Sequence, residues 1–338
     1  RNLSMDALCE KIGNAVSKQA ISKYEKGESL PGSQILILLS QALDVKPDYF
    51  FRESQFAISN IEFRKKAKMG VKEVEAIKEE IRDIIERYLE IEDIWGSVPS
   101  FANPFKEMLV ASDDDVYEVV KKLKDAWNIG EDGILSVTDL LESKNIKVVE
   151  IKADSSFDGL SGYVNNDENM PFVVVNKSFD VERLRFTGLH ELGHLVMNLP
   201  EEMEKKDKER LCNLFASEML ISRDIFVDVL GERRSDISLQ ELKVLQAVYG
   251  ISVDALMFKA KTVGVISESK HTSFCIRKNK SLAFKDAVER SSYRGVEESS
   301  RFDRLVYRAL ASDMISCSKA AVLLNEPMEE VKNKLELV

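Results

Sequence analysis

The sequence predicts an α+β protein that is mostly helical: a small N-terminal helical bundle, a helical core around a small antiparallel sheet, and a helical C-terminal region. Three observations lead there. Apolar residues recur at three- and four-residue spacing through most of the 338 residues. Apart from a short stretch at Ser273 to Ile276, strand character is confined to Lys147 to Ile151, Ser161 to Val164 and Pro171 to Asn176, the last two flanking a polar turn at Asn165 to Asn169. Finally, His190-Glu191-Leu192-Gly193-His194 sits between apolar positions at Leu184, Phe186, Leu189, Leu195 and Val196, which marks a helix that is mostly buried. The chain divides into an N-terminal unit at 1–52, a charged helical connector at 53–110, a unit holding the histidine motif at 111–235, and a helical remainder at 236–338.

Composition narrows the class. With 44% hydrophobic and 31% charged residues the chain is of ordinary globular type, and no run reaches the apolar length of a membrane span. Its four cysteines, Cys9, Cys212, Cys275 and Cys317, form no Cys-x-x-Cys pair, so neither a disulfide framework nor a cysteine-based zinc site is indicated; the expected setting is a reducing cytoplasm. The net charge of −10 is uneven: residues 1–52 hold seven Lys/Arg against six Asp/Glu, a balance of +1 that leaves −11 for the rest. Contact with nucleic acid is therefore expected in the first segment.

That segment reads as short helices. Ser4 caps one that runs through Ile12, Gly13-Asn14 makes a turn, and Ser17 caps a second, Lys18 to Lys26, which Gly27 ends. Ile35 to Leu43 follows Pro31-Gly32, and Val45 to Phe51 closes the core. Two helices about a glycine turn, the second starting at Ser17 and presenting Lys18, Gln19, Ser22 and Lys23, fit a helix-turn-helix that enters the major groove. Gln19 has the amide that reads an adenine edge, whereas Lys18 and Lys23 suit phosphates. The competing reading is a solvated face of a small helical domain.

Val16 through Gly27, with Leu30-Pro31 and Ala42-Leu43-Asp44-Val45, resembles the phage-repressor (XRE) helix-turn-helix family over about 50 residues. The resemblance implies binding to a double-stranded DNA operator. Members usually carry one more helix before the position of Leu3, and Arg1 is not an initiator methionine, so some N-terminal residues are expected to be missing.

In the connector, Phe63-Arg64-Lys65-Lys66 opens a charged stretch. Val74, Ile77, Ile81, Ile84, Ile85, Leu89 and Ile91 then give a long helix that separates two domains, pairs with a copy of itself in a homodimer, or simply packs. Beyond it, Val116 to Trp127 and Val137 to Ser143 are predicted helices. In the C-terminal third Leu239 to Tyr249, Val253 to Lys261 and Phe302 to Leu337 are predicted helices, with a strand at Ser273 to Ile276.

The histidine motif carries the chemistry. His190 and His194 are four residues apart and share one helix face, so both can reach one divalent ion, with Glu191 beside it to handle protons. A third ligand is needed. A histidine six residues after His194 would define one known extension, but that residue is Pro200. The alternative is a carboxylate on the next helix, predicted at Lys208 to Ile221: Glu209 in its first turn, with Asn213 one turn later to bond a ligating imidazole. Glu201, Glu202, Glu204 and Glu218 are weaker candidates. His271, the third histidine, reads as a surface residue.

Asp158-Gly159-Leu160-Ser161-Gly162, Phe172 to Asn176, Arg185-Phe186-Thr187 with the histidine motif, and Glu209-x-x-Cys212-Asn213-x-Phe215-Ala216-Ser217-Glu218 resemble the ImmA/IrrE metallopeptidases. The resemblance implies a gluzincin-like core in which His190, His194 and Glu209 hold zinc, or manganese, and Glu191 is the base. It also implies cleavage of a protein substrate, a helix-turn-helix repressor or the chain itself, which relieves repression in a stress or mobile-element response. This sequence departs from the family pattern at Cys212, where alanine is common, and at Met197-Asn198, where a further histidine is common. The competing reading is a transcription regulator whose metal fold senses or docks without turnover.

Overall fold

The computed structural model describes residues 3–45, 47–51, 58–59, 70–96, 100–165, 167 and 169–335. Three short helices come first, α1 (Met5–Lys11), α2 (Lys18–Glu25) and α3 (Ser33–Leu43), then a 3-10 turn at Pro47–Phe51. A two-residue strand, β1 (Ile58–Ser59), precedes the long α4 (Val71–Ile94). The middle of the chain runs α5 (Asp113–Trp127), α6 (Val137–Ser143), β2 (Lys147–Ile151), β3 (Gly159–Val164), β4 (Pro171–Asn176), α7 (Val181–Val196) and α8 (Lys205–Leu220). The remainder is helical: α9 (Arg223–Leu230), α10 (Leu239–Tyr249), α11 (Val253–Thr262), α12 (Glu268–Lys280), α13 (Leu282–Glu289), α14 (Arg301–Ala311), α15 (Cys317–Leu323) and α16 (Met328–Leu335). Serine hydroxyls accept from free backbone N–H groups at many of the helix starts, Ser4, Ser17, Ser112 and Ser238 among them. No helix among the described residues is long and apolar enough to cross a membrane. Phe63 to Lys66 and two residues of the expected polar turn, Asn166 and Glu168, lie outside the described residues.

Two compact units result. One draws its residues from Arg1–Ala57, Lys68–Ser97 and Asp303–Val338, the other from Ile58–Ala67 and Val98–Phe302. In the first, Leu8, Cys9, Ile12, Ile21, Leu39 and Ala42 form the core of the N-terminal helices. The Asp44 cap of α3 takes a left-handed conformation, φ 52°, which Asp tolerates. The helix at 71–94 is packed: Ile81, Ile85 and Ile91 are fully buried. Arg87 donates to the Leu323 carbonyl of α15 at 2.6 Å, and the Trp95 indole donates to Leu305 of α14 at 3.2 Å. The helical run expected from Phe302 breaks into α14, α15 and α16, with Asp313 and Asn325 in left-handed turns between them.

In the second unit the sheet order is β1-β3-β4-β2. Here the expected antiparallel sheet is corrected to a mixed one: β3 pairs antiparallel with β4, but β2 pairs parallel with β4, Lys147 opposite Phe172 through Ile151 opposite Asn176. The chain leaves β2, crosses to the far side of β4, and returns through the β3–β4 hairpin, so β2 and β4 end up side by side and pointing the same way. β4 is buried at every position, which is why Phe172 to Val175 is a continuous apolar run and not an alternating one. Asn176, fully buried, pins the crossing segment by donating to the carbonyls of Ala153, Asp154 and Phe157 at 3.1, 3.1 and 2.8 Å.

α7 lies on β3 and β4, α8 packs on α7, and α5 packs on α8. The histidine motif is therefore held between a sheet and a helix. The strand expected at Ser273 to Ile276 is corrected as well, since those residues fall inside α12. The hydroxyls of Thr272 and Ser273 bond to the carbonyls of Glu268 and Ser269, at 3.0 and 2.9 Å, so both are satisfied by the preceding turn.

Candidate metal centre

α7 is buried on nearly every side, including Glu182, Arg185, His190 and Glu191. Small residues allow this. A β-carbon built on Gly188 would stand 3.2 Å from Val137 of α6, and one on Gly193 would stand 3.2 Å from the Phe215 ring of α8. The second glycine is one of the two unspecified positions inside the histidine motif; its missing side chain lets α8 come close enough to share a site. Arg185 anchors the helix from the opposite end. It is fully buried, ion-paired with Glu297, bonded to the Ile134 carbonyl at 2.6 Å and stacked 4.6 Å from the Tyr293 ring. Glu297 also accepts from the backbone N–H groups of Val137 and Thr138, at 3.0 and 2.9 Å. A buried charge pair is tolerated when most of its remaining hydrogen-bonding capacity is filled in this way, here all but Arg185 Nε, which is buried without a hydrogen-bond partner among the described residues.

The centre forms where α7 meets α8. Nε2 of His190 lies 3.0 Å from Nε2 of His194. Glu209 faces both, with one oxygen 3.6 Å from His190 and the other 3.7 Å from His194. His190 has no exposed side-chain surface, whereas His194 is 25% and Glu209 26% exposed, so solvent reaches the site on the side of those two. Asn213 Oδ1 is 2.9 Å from Nδ1 of His190. A carbonyl oxygen can only accept, so Nδ1 carries the proton and Nε2 directs its lone pair at the other donors.

Two imidazole nitrogens and a carboxylate facing one another at these spacings suit a cation between them. Ligands around a tetrahedral zinc stand about 3.3 Å apart, given bonds of about 2.0–2.1 Å. The donor set and spacing fit such an ion.

Glu191, 2% exposed, accepts from the Ser161 hydroxyl at 2.8 Å. Ser161 on β3 is thus a site residue that sequence reasoning did not assign; the one hint is its place in the Asp158 to Gly162 stretch. Gly159 on the same strand lets β3 ride directly over α7, for a β-carbon there would fall 2.5 Å from Thr187 Cγ2 and 2.6 Å from the Val174 carbonyl oxygen. Cys212 is a second unassigned neighbour: its sulfur and one ring nitrogen of each histidine all lie within 4.8 Å of one another. The other carboxylates considered for the third position are placed differently. Glu201, Glu202 and Glu204 are exposed before or at the start of α8, and Glu218 is buried in an ion pair with Lys259. His271, half-buried on α12, packs edge-on against Phe258, and burial lowers its pKa.

On the N-terminal helices, the Ser17 hydroxyl is engaged as the α2 cap, accepting from Ala20 N–H at 3.3 Å. Lys18, Gln19 and Lys23 are exposed along α2 and Ser22 is half-buried. Lys18 pairs with Asp6 at 2.6 Å, both side chains more than half exposed, an interaction of small energy that a phosphate can displace.

Comparison with known proteins agrees with both regions. Residues 1–50 match the family model described as helix-turn-helix, and residues 141–261 match Peptidase M78, the IrrE N-terminal-like domain. A 53-residue stretch is 45% identical to the uncharacterized HTH-type transcriptional regulator y4aM of Sinorhizobium fredii (strain NBRC 101917 / NGR234), covering 16% of this chain and 36% of that protein. The likeness to that regulator thus spans about a third of its length. The chain joins an XRE-type helix-turn-helix at residues 1–50 to an IrrE/ImmA-like peptidase domain at residues 141–261.

Proposed function

We propose that the chain is a DNA-binding regulator with a zinc-dependent endopeptidase, which relieves repression by cutting a helix-turn-helix repressor or its own connector. The observation that carries this reading is the convergence of His190, His194 and Glu209 within 3.7 Å of one another, with Asn213 setting the His190 tautomer and Glu191 alongside. His190, His194 and Glu209 hold the ion, zinc or alternatively manganese. When bound, such an ion polarises a carbonyl oxygen and makes water more acidic. Glu191 takes the proton from the attacking water and delivers it to the leaving amine. The Ser161 hydroxyl, donating to one Glu191 oxygen, keeps the carboxylate turned toward the reacting atoms.

β3 supports the substrate side of the reading. Its outer edge pairs antiparallel with β1 through Tyr163 and Val164, and the same strand carries Ser161 toward Glu191. An extended peptide added along this edge passes the base, which is recognition by strand addition. Because β1 belongs to the connector, the pairing favours the connector as a substrate in cis. Operator binding through α2, with Gln19 on a base edge and Lys18 and Lys23 on phosphates, places the reaction beside DNA and thus in the cytoplasm.

The deciding experiment mixes the full chain with zinc or manganese and the helix-turn-helix repressor encoded nearest to its gene. A discrete fragment that is absent with Glu191→Gln, while bound metal is unchanged, is the expected result. Equal cleavage by the Gln variant removes Glu191 from the mechanism. Metal uptake with no fragment from either protein favours a sensor without turnover.

A further inference from the structure

We infer that Cys212 is a facultative fourth ligand of this centre, recruited by zinc and not by manganese, so that the identity of the ion decides whether the centre is closed or open. The inference rests on the metallopeptidase reading above. On α8, Glu209, Cys212 and Asn213 are separated by three and four residues, which brings all of them to the side that faces α7. Asn213 is committed to orienting His190, at 2.9 Å. Glu209 approaches both rings from the solvent side. Cys212 approaches from within the core: it is fully buried, and its sulfur lies within 4.8 Å of one ring nitrogen of each histidine.

In a tetrahedral zinc site with one sulfur at about 2.3 Å and nitrogens at about 2.0–2.1 Å, sulfur and nitrogen stand about 3.5 Å apart. A closure on the order of 1 Å, by a cysteine rotation and a tilt of the rings, brings the sulfur to that spacing from the histidine nitrogens. Two imidazoles, one carboxylate and one thiolate make four protein ligands, the closed arrangement of structural zinc. Without the sulfur, three ligands leave one position open, the arrangement of hydrolytic zinc. Thiolate is a soft donor that favours zinc, whereas manganese prefers oxygen. Coordination through sulfur releases the thiol proton to solvent, and no oxidant or reductant takes part. A zinc-loaded chain therefore rests closed and turns over only when water or substrate displaces the sulfur, which takes up a proton on release, whereas a manganese-loaded chain keeps its fourth position available.

X-ray absorption on the full chain loaded with one equivalent of zinc tests this without reference to turnover. The expected spectrum contains one zinc–sulfur path at about 2.3 Å beside nitrogen and oxygen at about 2.0–2.1 Å. The same measurement on the manganese-loaded chain should show nitrogen and oxygen alone. Cys212→Ala should lose the sulfur path and retain the others, with circular dichroism confirming the fold; the wild-type spectrum decides the question even where that variant does not fold. Zinc surrounded only by nitrogen and oxygen in the wild type overturns the role of Cys212 and leaves the endopeptidase reading intact. A sulfur path that persists in Cys212→Ala also overturns it. A chain that takes up manganese but no zinc overturns the role of Cys212 alone, and one that takes up neither ion overturns both.

Discussion

α2 and α7 are both helices whose polar residues matter, and they solve opposite problems. Among the residues of α2 only Ile21 is buried, and Lys18, Gln19 and Lys23 are exposed on a helix that Ser17 starts and Gly27 ends. α7 hides Glu182, Arg185, His190 and Glu191 inside the protein, each supplied with a partner from elsewhere in its unit. Local chemistry suffices for the first helix. The second has polar groups in a low-dielectric interior, where a missing partner leaves a desolvated charge or dipole. Changes on α7 and its supports should thus be large and should act through the fold or the site together, while changes on α2 should be small and separable.

The sharpest break is His190→Ala, which should abolish both metal uptake and cleavage, whereas Glu191→Gln should retain metal and slow cleavage by roughly 10²- to 10⁴-fold. Elemental analysis beside a cleavage assay reads both. Next comes the anchor. Glu297→Ala strands the buried Arg185 and should destabilise the peptidase unit by about 3–5 kcal/mol, seen as a lower midpoint in denaturant; an unchanged midpoint would mean that Arg185 finds another acceptor.

Asn213→Ala releases the His190 ring and should weaken metal binding by about 10- to 100-fold with little change in midpoint, read by chelator competition. On the other side of the comparison, Ser17→Ala removes a cap and should cost about 1 kcal/mol, confined to the N-terminal helices. The smallest effect is electrostatic. Lys18→Ala should reduce affinity for all duplexes alike and lower the salt slope by about 1, while Gln19→Ala changes base preference and leaves that slope alone. Should Lys18→Ala instead alter sequence choice, the phosphate assignment is wrong.

What the sequence settled by itself is whatever depends on a few neighbouring residues. Serine caps and left-handed turn residues mark the helix ends, because a cap bond spans only three residues. His190 and His194 must share a face because an α-helix repeats every 3.6 residues. Tertiary structure alone decided the rest. Spacing leaves five glutamates open as third ligand; the approach of α8 across Gly193 presents Glu209 and turns Glu218 to Lys259. Neither the parallel pairing of β2 with β4, nor the Ser161 contact to Glu191, nor the Glu297 partner of Arg185 has a local signature. Each joins residues between 25 and 112 positions apart, such as Val149 with Val174 and Arg185 with Glu297. Such contacts are fixed by how whole elements pack, and the periodicity within any one of them is silent on its neighbours.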